Sequence, residues 1–204
     1  MILKWFGVFA FFCLIFSMPI TVSATAEPIN VIQSTSNEIL AILSNTTLTN
    51  EEKISQLSNI AEGHFFFEEM AKRTLALHWN DRTLEEKKSF VKTYKEFLKK
   101  TYAEKIDKYS GEKVNVLSQE VDENYAVVKT TVVNEQKQRE TPVDYKMKLH
   151  KSEWKVYDIV VEGISLINNY RVQFNDMLNK SSFDDLMKQL NDKVQGKPAQ
   201  TITS

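Results

Sequence analysis

Between Val143 and Leu149 the sequence reads VDYKMKL, and its side chains alternate without a break. Val143, Tyr145, Met147 and Leu149 share one parity; Asp144, Lys146 and Lys148 share the other. A period of two sends successive side chains to opposite faces of a strand, so this run demands a sheet with one wet face and one buried face. Such a strand cannot stand alone, and the rest of the chain must cover its apolar side.

The run has neighbours of its own kind. Residues 113–118, 125–133, 141–150 and 154–161 are rich in Val, Tyr and Thr and read as four strands. QEVDEN and HKSE read as polar turns between them, and such short connections imply antiparallel pairing. Helical spacing dominates on either side. Ile32, Thr35, Ile39, Ile42 and Leu43 repeat at helical intervals from about Pro28. Thr49 with Glu52, and Thr83 with Glu86, are capping boxes that each open a helix. HFFFEEMAKRTLALHW reads as a continuous helix between them, with Phe67, Met70, Thr74 and Leu77 on one face. The helix after Thr83 is the longest, with Phe90, Val91, Tyr94, Phe97, Leu98, Thr101, Tyr102 and Ile106 inward and an end near Gly111. Two more helices close the chain. One carries Ile164, Ile167, Tyr170, Phe174 and Met177; the other starts at a Ser182–Asp185 cap and carries Phe183, Leu186, Met187 and Leu190. Helices, a meander and helices again predict an α+β fold, with helices packed on one face of a curved antiparallel sheet of about four strands.

The amino terminus reads as an export signal. Lys4 precedes the apolar WFGVFAFFCLIF, and SATAEP offers small residues for cleavage, most simply after Ala26 with Ala24 as the alternative. The apolar run stops at Phe16, short of the roughly 20 residues of a spanning helix. Cys13 is the single cysteine and follows Phe11 and Phe12 rather than small residues, which argues against lipidation. The expected division is a signal peptide over 1–26, one domain over 27–195 and a disordered tail over 196–204.

Little in the composition points to chemistry. The formal net charge is −1, with no basic excess to neutralise phosphates, which argues against nucleic acid as a partner. His64, His78 and His150 form no i, i+4 pair and no HExxH, so no metal is expected. There is no GxSxG elbow. The carboxylate pairs Glu51/Glu52, Glu68/Glu69, Glu85/Glu86 and Asp184/Asp185 stand at helix starts, where they serve the helix dipole. The chain is therefore not expected to be an enzyme. Phe65, Phe66 and Phe67 are unusual: on a helix they would point about 100 degrees apart and could not share one core. Either one is exposed or the helix is wrapped by apolar material on two sides.

At VKTYKEFLKKTYAEKIDKYSGEKVNV, VDYKMKL and WKVYDIVVEGISLINNYRVQF the chain resembles the MlaC-type, or toluene-tolerance, family of periplasmic phospholipid-binding proteins. Trp154, Val156, Tyr157, Asp158, Glu162, Gly163, Ser165, Leu166, Asn169, Tyr170, Arg171, Gln173 and Phe174 stand at the positions of its pattern, and FEEMAKRTLALHW and SSFDDLMKQL also fit. The resemblance implies a periplasmic carrier, without a cofactor, whose cargo is phospholipid held by its acyl chains in an apolar cavity between sheet and helices. The implied partners are an inner-membrane ABC transporter complex with its substrate-binding subunit and an outer-membrane lipoprotein–porin complex. Val128, Val132, Tyr145, Met147, Leu149, Val156 and Val160 on the sheet, and Phe66, Met70, Tyr94, Phe97, Leu98, Ile167, Tyr170 and Phe174 on helices, are the candidate lining. For each the competing expectation is ordinary core. Arg171 is read either as a phosphate contact or as an ion-pair partner of Asp158 or Glu162. A carrier of another lipid such as a hopanoid, an enzyme with an apolar pocket and a filled structural adaptor are the rival readings.

Overall fold

In the computed structural model the described residues are 26–103, 106 and 109–197. The expected signal peptide over 1–26 lies outside them except for Ala26; the tail from 198 onward, and the expected helical continuation at 104–105, lie outside them altogether. Four helices come first: α1 (Pro28–Ser44), α2 (Asn50–His64), α3 (Phe67–Leu75) and α4 (Leu84–Ala103). The sheet follows as β1 (Lys113–Asp122), β2 (Tyr125–Asn134), β3 (Arg139–His150), β4 (Glu153–Val161) and the two-residue β5 (Ile164–Ser165). α5 (Leu166–Lys180) and α6 (Phe183–Val194) complete the chain. The strands pair antiparallel in chain order, so the fold is the expected α+β meander with a short fifth strand added.

Local signals explain most boundaries. Thr49 and Ser182 open α2 and α6 through complete capping boxes with Glu52 and Asp185. Thr83 and Glu86 exchange the same bonds ahead of α4, the Thr83 N–H donating to the Glu86 carboxylate at 2.7 Å. α3 ends at Leu75, short of the expected Trp79, and Leu77, expected inward, is exposed; other boundaries also differ from the sequence reading. QEVDEN is strand as far as Asp122, and only Glu123 and Asn124 turn, because β1 pairs with β2 up to the Asp122–Tyr125 step. Polar side chains on this outermost strand face water, so their polarity does not separate strand from turn. Ile164, expected on α5, pairs with Val161 in β5 instead.

The larger departure is at Phe65–Phe66. α2 ends at His64, Phe65 is extended at φ −99° and ψ 141°, and α3 starts anew at Phe67. The Phe66 N–H donates to the Val156 carbonyl at 2.8 Å, and Phe65 bridges Val156 in parallel register. The break resolves the problem of three consecutive rings. Phe65 and Phe67 stack on each other with centroids 6.0 Å apart, while Phe66 lies against His150 at 4.4 Å.

The interior holds two apolar clusters. One is helical: Phe90, Tyr94 and Phe97 of α4 pack with Tyr170 and Phe174 of α5 and Phe183 of α6. Rings of α4 meet those of α5 edge to face, as in Phe97–Tyr170 at 5.3 Å and Tyr94–Phe174 at 6.1 Å. The buried Tyr94 hydroxyl accepts from Thr74 at 3.0 Å, and burial raises its pKa far above the ordinary tyrosine range. The other cluster joins Ile32 of α1 to Ala126, Val128, Met147, Trp154 and Val156 of the sheet. Phe65 packs against both.

The register of β4 shifts once. Val156 opposes Met147 and Asp158 opposes Lys146, which leaves Tyr157 as an extra, bulged residue. Beyond the bulge the faces exchange. Ile159 and Val161 oppose Tyr145 and Val143 and share their face, so Val160 points to the other side. Asp158 is sent to the face of Lys146, where it is buried, 3.6 Å from the Lys146 ammonium. Its carboxylate accepts from Ser165 Oγ at 2.7 Å and from the Ile167 N–H at 3.1 Å. A carboxylate on the free N–H groups of a helix start is well placed, and here it ties α5 to the sheet.

Glu69 does similar work for α3. It accepts from Arg73 at 2.8 Å and Lys148 at 3.0 Å, and Arg73 lies over the Tyr157 ring at 4.2 Å. Burial pushes the Glu69 carboxyl up, but the Lys148 and Arg73 bonds outweigh it and hold the group below the ordinary 4.5.

Asp158→Ala leaves the Ile167 N–H, the Ser165 hydroxyl and Lys146 without their acceptor, and should cost about 1–3 kcal/mol in chemical denaturation at neutral pH. Glu69→Gln should also destabilise at neutral pH. A depressed carboxylate contributes stability above its unfolded pKa and loses it as pH falls through its folded one. The Glu69→Gln penalty should therefore be full above pH 4.5 and shrink as pH drops below it, which parallel melting curves against pH would measure.

Candidate functional site

Where the two clusters meet, they leave a cleft of about 540 Å³. Phe65, Phe67 and Met70 form one wall, Leu98 and Tyr102 of α4 a second, and Ile159, Val161, Ile164 and Leu166 a third. Each wall has a local cause. The helix break turns Phe65 inward beside Phe67. The Tyr157 bulge brings Ile159 and Val161 to this side, although Val160 would face it in an unbroken strand. The tight turn at Glu162–Gly163, both at positive φ, folds β5 back and delivers Ile164. Ile164 and Val161 are 67% and 42% exposed, so the mouth itself is rimmed with aliphatic side chains.

Polar groups are few and peripheral. Lys99, Glu162 and Asn169 lie at the edge. Burial and the neighbouring Tyr170 push the Tyr102 hydroxyl up to about 12, so it stays protonated. Glu62 sits beside the cleft and accepts from Lys99 at 2.5 Å and Lys95 at 3.4 Å; these bonds lower its pKa. Among the described residues no group of three or more His, Cys, Asp or Glu side chains could hold a metal ion. A volume of this size is typical of small-molecule sites, which run to roughly 300–1,000 Å³, and its apolar walls can offer a guest dispersion and burial.

The structure distributes the candidate lining residues over several places. Met70 and Leu98 line the cleft. Tyr94, Phe97, Tyr170 and Phe174 are packed in the helical aromatic cluster. Val128, Met147 and Val156 are packed under α1, with Tyr145 and Leu149 against them. Ile167 borders a polar hollow with Arg73, Lys146 and Asp158. Phe66 lines a second hollow beyond the Phe65–Phe67 pair. Val132 and Val160 are half-buried on their strands. Sequence reasoning passed over Phe65, Phe67, Ala61, Tyr102, Ile159, Val161, Ile164 and Leu166 as lining. The run of three phenylalanines was the one visible signal among them. Arg171 is neither an ion-pair partner of Asp158, which lies by Lys146, nor of Glu162, which pairs with Arg139. Its Nε donates to the Arg73 carbonyl at 2.9 Å, satisfying a terminal acceptor of α3.

No helix among the described residues is long and apolar enough to cross a membrane. Comparison with known proteins places this architecture. A solved structure of a phospholipid-binding protein from Ralstonia solanacearum, in complex with a phospholipid, superposes with a TM-score of 0.74. It covers 84% of this chain and 98% of its own, at 23% identity, and so shares the fold. The intermembrane phospholipid transport system binding protein MlaC of Haemophilus influenzae is 24% identical over 92% of this chain and 91% of its own length. The family model described as MlaC protein matches residues 33–192, nearly all of the folded region from α1 to α6, and the chain belongs to that family.

Proposed function

We propose that the chain is a periplasmic carrier that buries phospholipid acyl chain in the Phe65–Met70–Leu98–Ile159 cleft. It would pass lipid between the outer membrane and an inner-membrane ABC transporter. The observation that carries this reading is the cleft itself, apolar on its walls and apolar at its open rim. An exposed rim of Val161 and Ile164 is costly for a protein whose cleft has no guest, and useful to one that must receive an acyl chain from a bilayer. The names of the relatives agree: one is a phospholipid transport binding protein and the other was solved with phospholipid bound. An ABC complex with its substrate-binding subunit and an outer-membrane lipoprotein–porin complex fit as the two docking partners.

Magnitudes show why a carrier is needed. Taking roughly 30 Å³ for a methylene-sized group, the share of a water molecule, the cleft holds on the order of 18 such groups, about one acyl chain. At about 0.8 kcal/mol per methylene, burying that chain is worth on the order of 14 kcal/mol relative to leaving it in water. Exchanging bilayer for cleft removes most of that barrier without any chemical step in this chain. Direction would then be set by the ABC partner.

Protein isolated from a periplasmic fraction should carry diacyl phospholipid at about one per chain by native mass spectrometry. A bare polypeptide mass, or a hopanoid in the place of phospholipid, would overturn the assignment. Because lipid binds only the folded form, a hundredfold excess over Kd adds about 2.7 kcal/mol, so the melting temperature should rise by roughly 5–10 °C on loading.

Substitution separates cleft from core. Ile159→Trp places an indole in the cleft and should exclude lipid while leaving the stripped protein folded. Val128 is fully buried under α1 and away from the cleft. Val128→Trp should instead overpack that core and cost about 1–3 kcal/mol in denaturant titration, in stripped and loaded protein alike.

A further inference from the structure

The stacked rings of Phe65 and Phe67 are a partition. On one side is the cleft of about 540 Å³; on the other is a hollow of about 690 Å³. Both spaces are lined by Phe65 and Phe67, and the second adds Trp79, Val91 and the exposed Leu84 among charged side chains such as Lys88, Lys92 and Lys155. The backbone beneath the partition is thin. Between α2 and α3 it is extended, and the Phe66 N–H to Val156 carbonyl bond ties it to the sheet. Each space is of the order of one acyl chain, and neither alone is large enough for two by the measure of roughly 30 Å³ per methylene-sized group.

Charge marks the ridge where the two mouths meet. Lys99 borders the cleft and Lys95 borders the hollow. Glu62 lies between them and accepts from both, at 2.5 Å and 3.4 Å. Two ammonium groups thus share one half-exposed carboxylate, and Lys99 also lies 3.6 Å from the Glu96 carboxylate. Farther along α4, Lys88 and Lys92 edge the same hollow and have no carboxylate partner among the described residues.

We infer that a two-tailed lipid straddles the partition, one acyl chain on each side of Phe65–Phe67 and its phosphate on the ridge between Lys95 and Lys99, in competition with Glu62. The inference rests on the carrier reading above and adds to it the placement of both tails and of the head group. A phosphodiester bridging two lysines keeps its charge solvated while its tails leave water, which no placement of both tails in the cleft achieves at this volume.

The test uses the full chain with two probes, phosphatidylglycerol and its single-chain lyso form, read by native mass spectrometry. Leu84→Trp and Val91→Trp each fill the second hollow; Leu84 is 61% exposed, so that substitution leaves folding intact. Both variants should lose diacyl lipid by at least about tenfold while keeping the lyso form in the cleft. Retention of diacyl lipid at the level of the parent, or equal loss of both probes, would overturn the straddling arrangement while the carrier reading stands. If the parent chain binds neither probe, the carrier reading itself fails. A second arm replaces both ridge lysines by Gln. Phosphatidylglycerol binding should weaken and diacylglycerol binding should not; an equal effect on the two would remove the phosphate from the ridge.

Discussion

One extra residue in β4 divides the molecule's labour. Tyr157 bulges, and the strand changes faces across it. Before the bulge, Trp154 and Val156 face α1 and seal the sheet's own core. After it, Ile159 and Val161 continue that face and become the wall of the cleft. Asp158, displaced to the opposite face, holds the first turn of α5 through Ser165 and the Ile167 N–H. A strand without the bulge would put Asp158 on the apolar face, where an uncompensated charge is intolerable, and would turn Ile159 away from it. The positions of α5, β5 and the cleft all follow from this local irregularity.

The second structural decision is to break the helix at Phe65. Backbone groups freed there need partners, and the exposed edge of β4 supplies them through the Val156 carbonyl. The same edge is covered farther on by β5. Covering the edge and orienting the aromatic run are therefore one solution to two problems. Its by-product is that Phe65 alone, among the described residues, packs against both apolar clusters.

How much of this was readable in advance depends on contrast. VDYKMKL alternates polar with apolar, so the buried face of β3 was legible, and Val143 and Met147 are indeed buried. Thr49, Thr83 and Ser182 each have a carboxylate three residues on, so their helix starts were legible too. Ile159, Val160 and Val161 offer no such contrast: three aliphatic side chains read the same on either face, and the bulge that chooses between them leaves no mark in composition. The break at Phe65 lacks a glycine or proline to announce it. Polarity also cannot tell a ring that packs on other rings, such as Tyr94, from one that faces a cleft, such as Phe67, because both are apolar and both leave water. Arg171 was misplaced for a related reason. Nearby carboxylates suggested an ion pair, but a helix end with open carbonyls is an equally good acceptor and does not appear in the sequence as a charge.

The arrangement of clusters bears on how such a chain could bind and release cargo without unfolding. The cleft runs along the seam between them, walled by Met70 and Leu98 from one and Ile159 from the other. A guest in the seam therefore displaces solvent rather than packed side chains. Each cluster keeps its own reinforcement: the edge-to-face rings and the Thr74–Tyr94 bond in the helices, the strand ladder and Ile32 under α1. Besides Phe65, which packs on both clusters, polar ties join the halves, Asp158 to α5 and Glu69 to Lys148. Polar ties fix geometry at small net cost in stability, whereas merging the two clusters into one continuous core would stabilise the empty protein and close the seam. Two separately satisfied cores, held in register by the Asp158 and Glu69 carboxylates, leave between them an apolar space that neither core needs to fill.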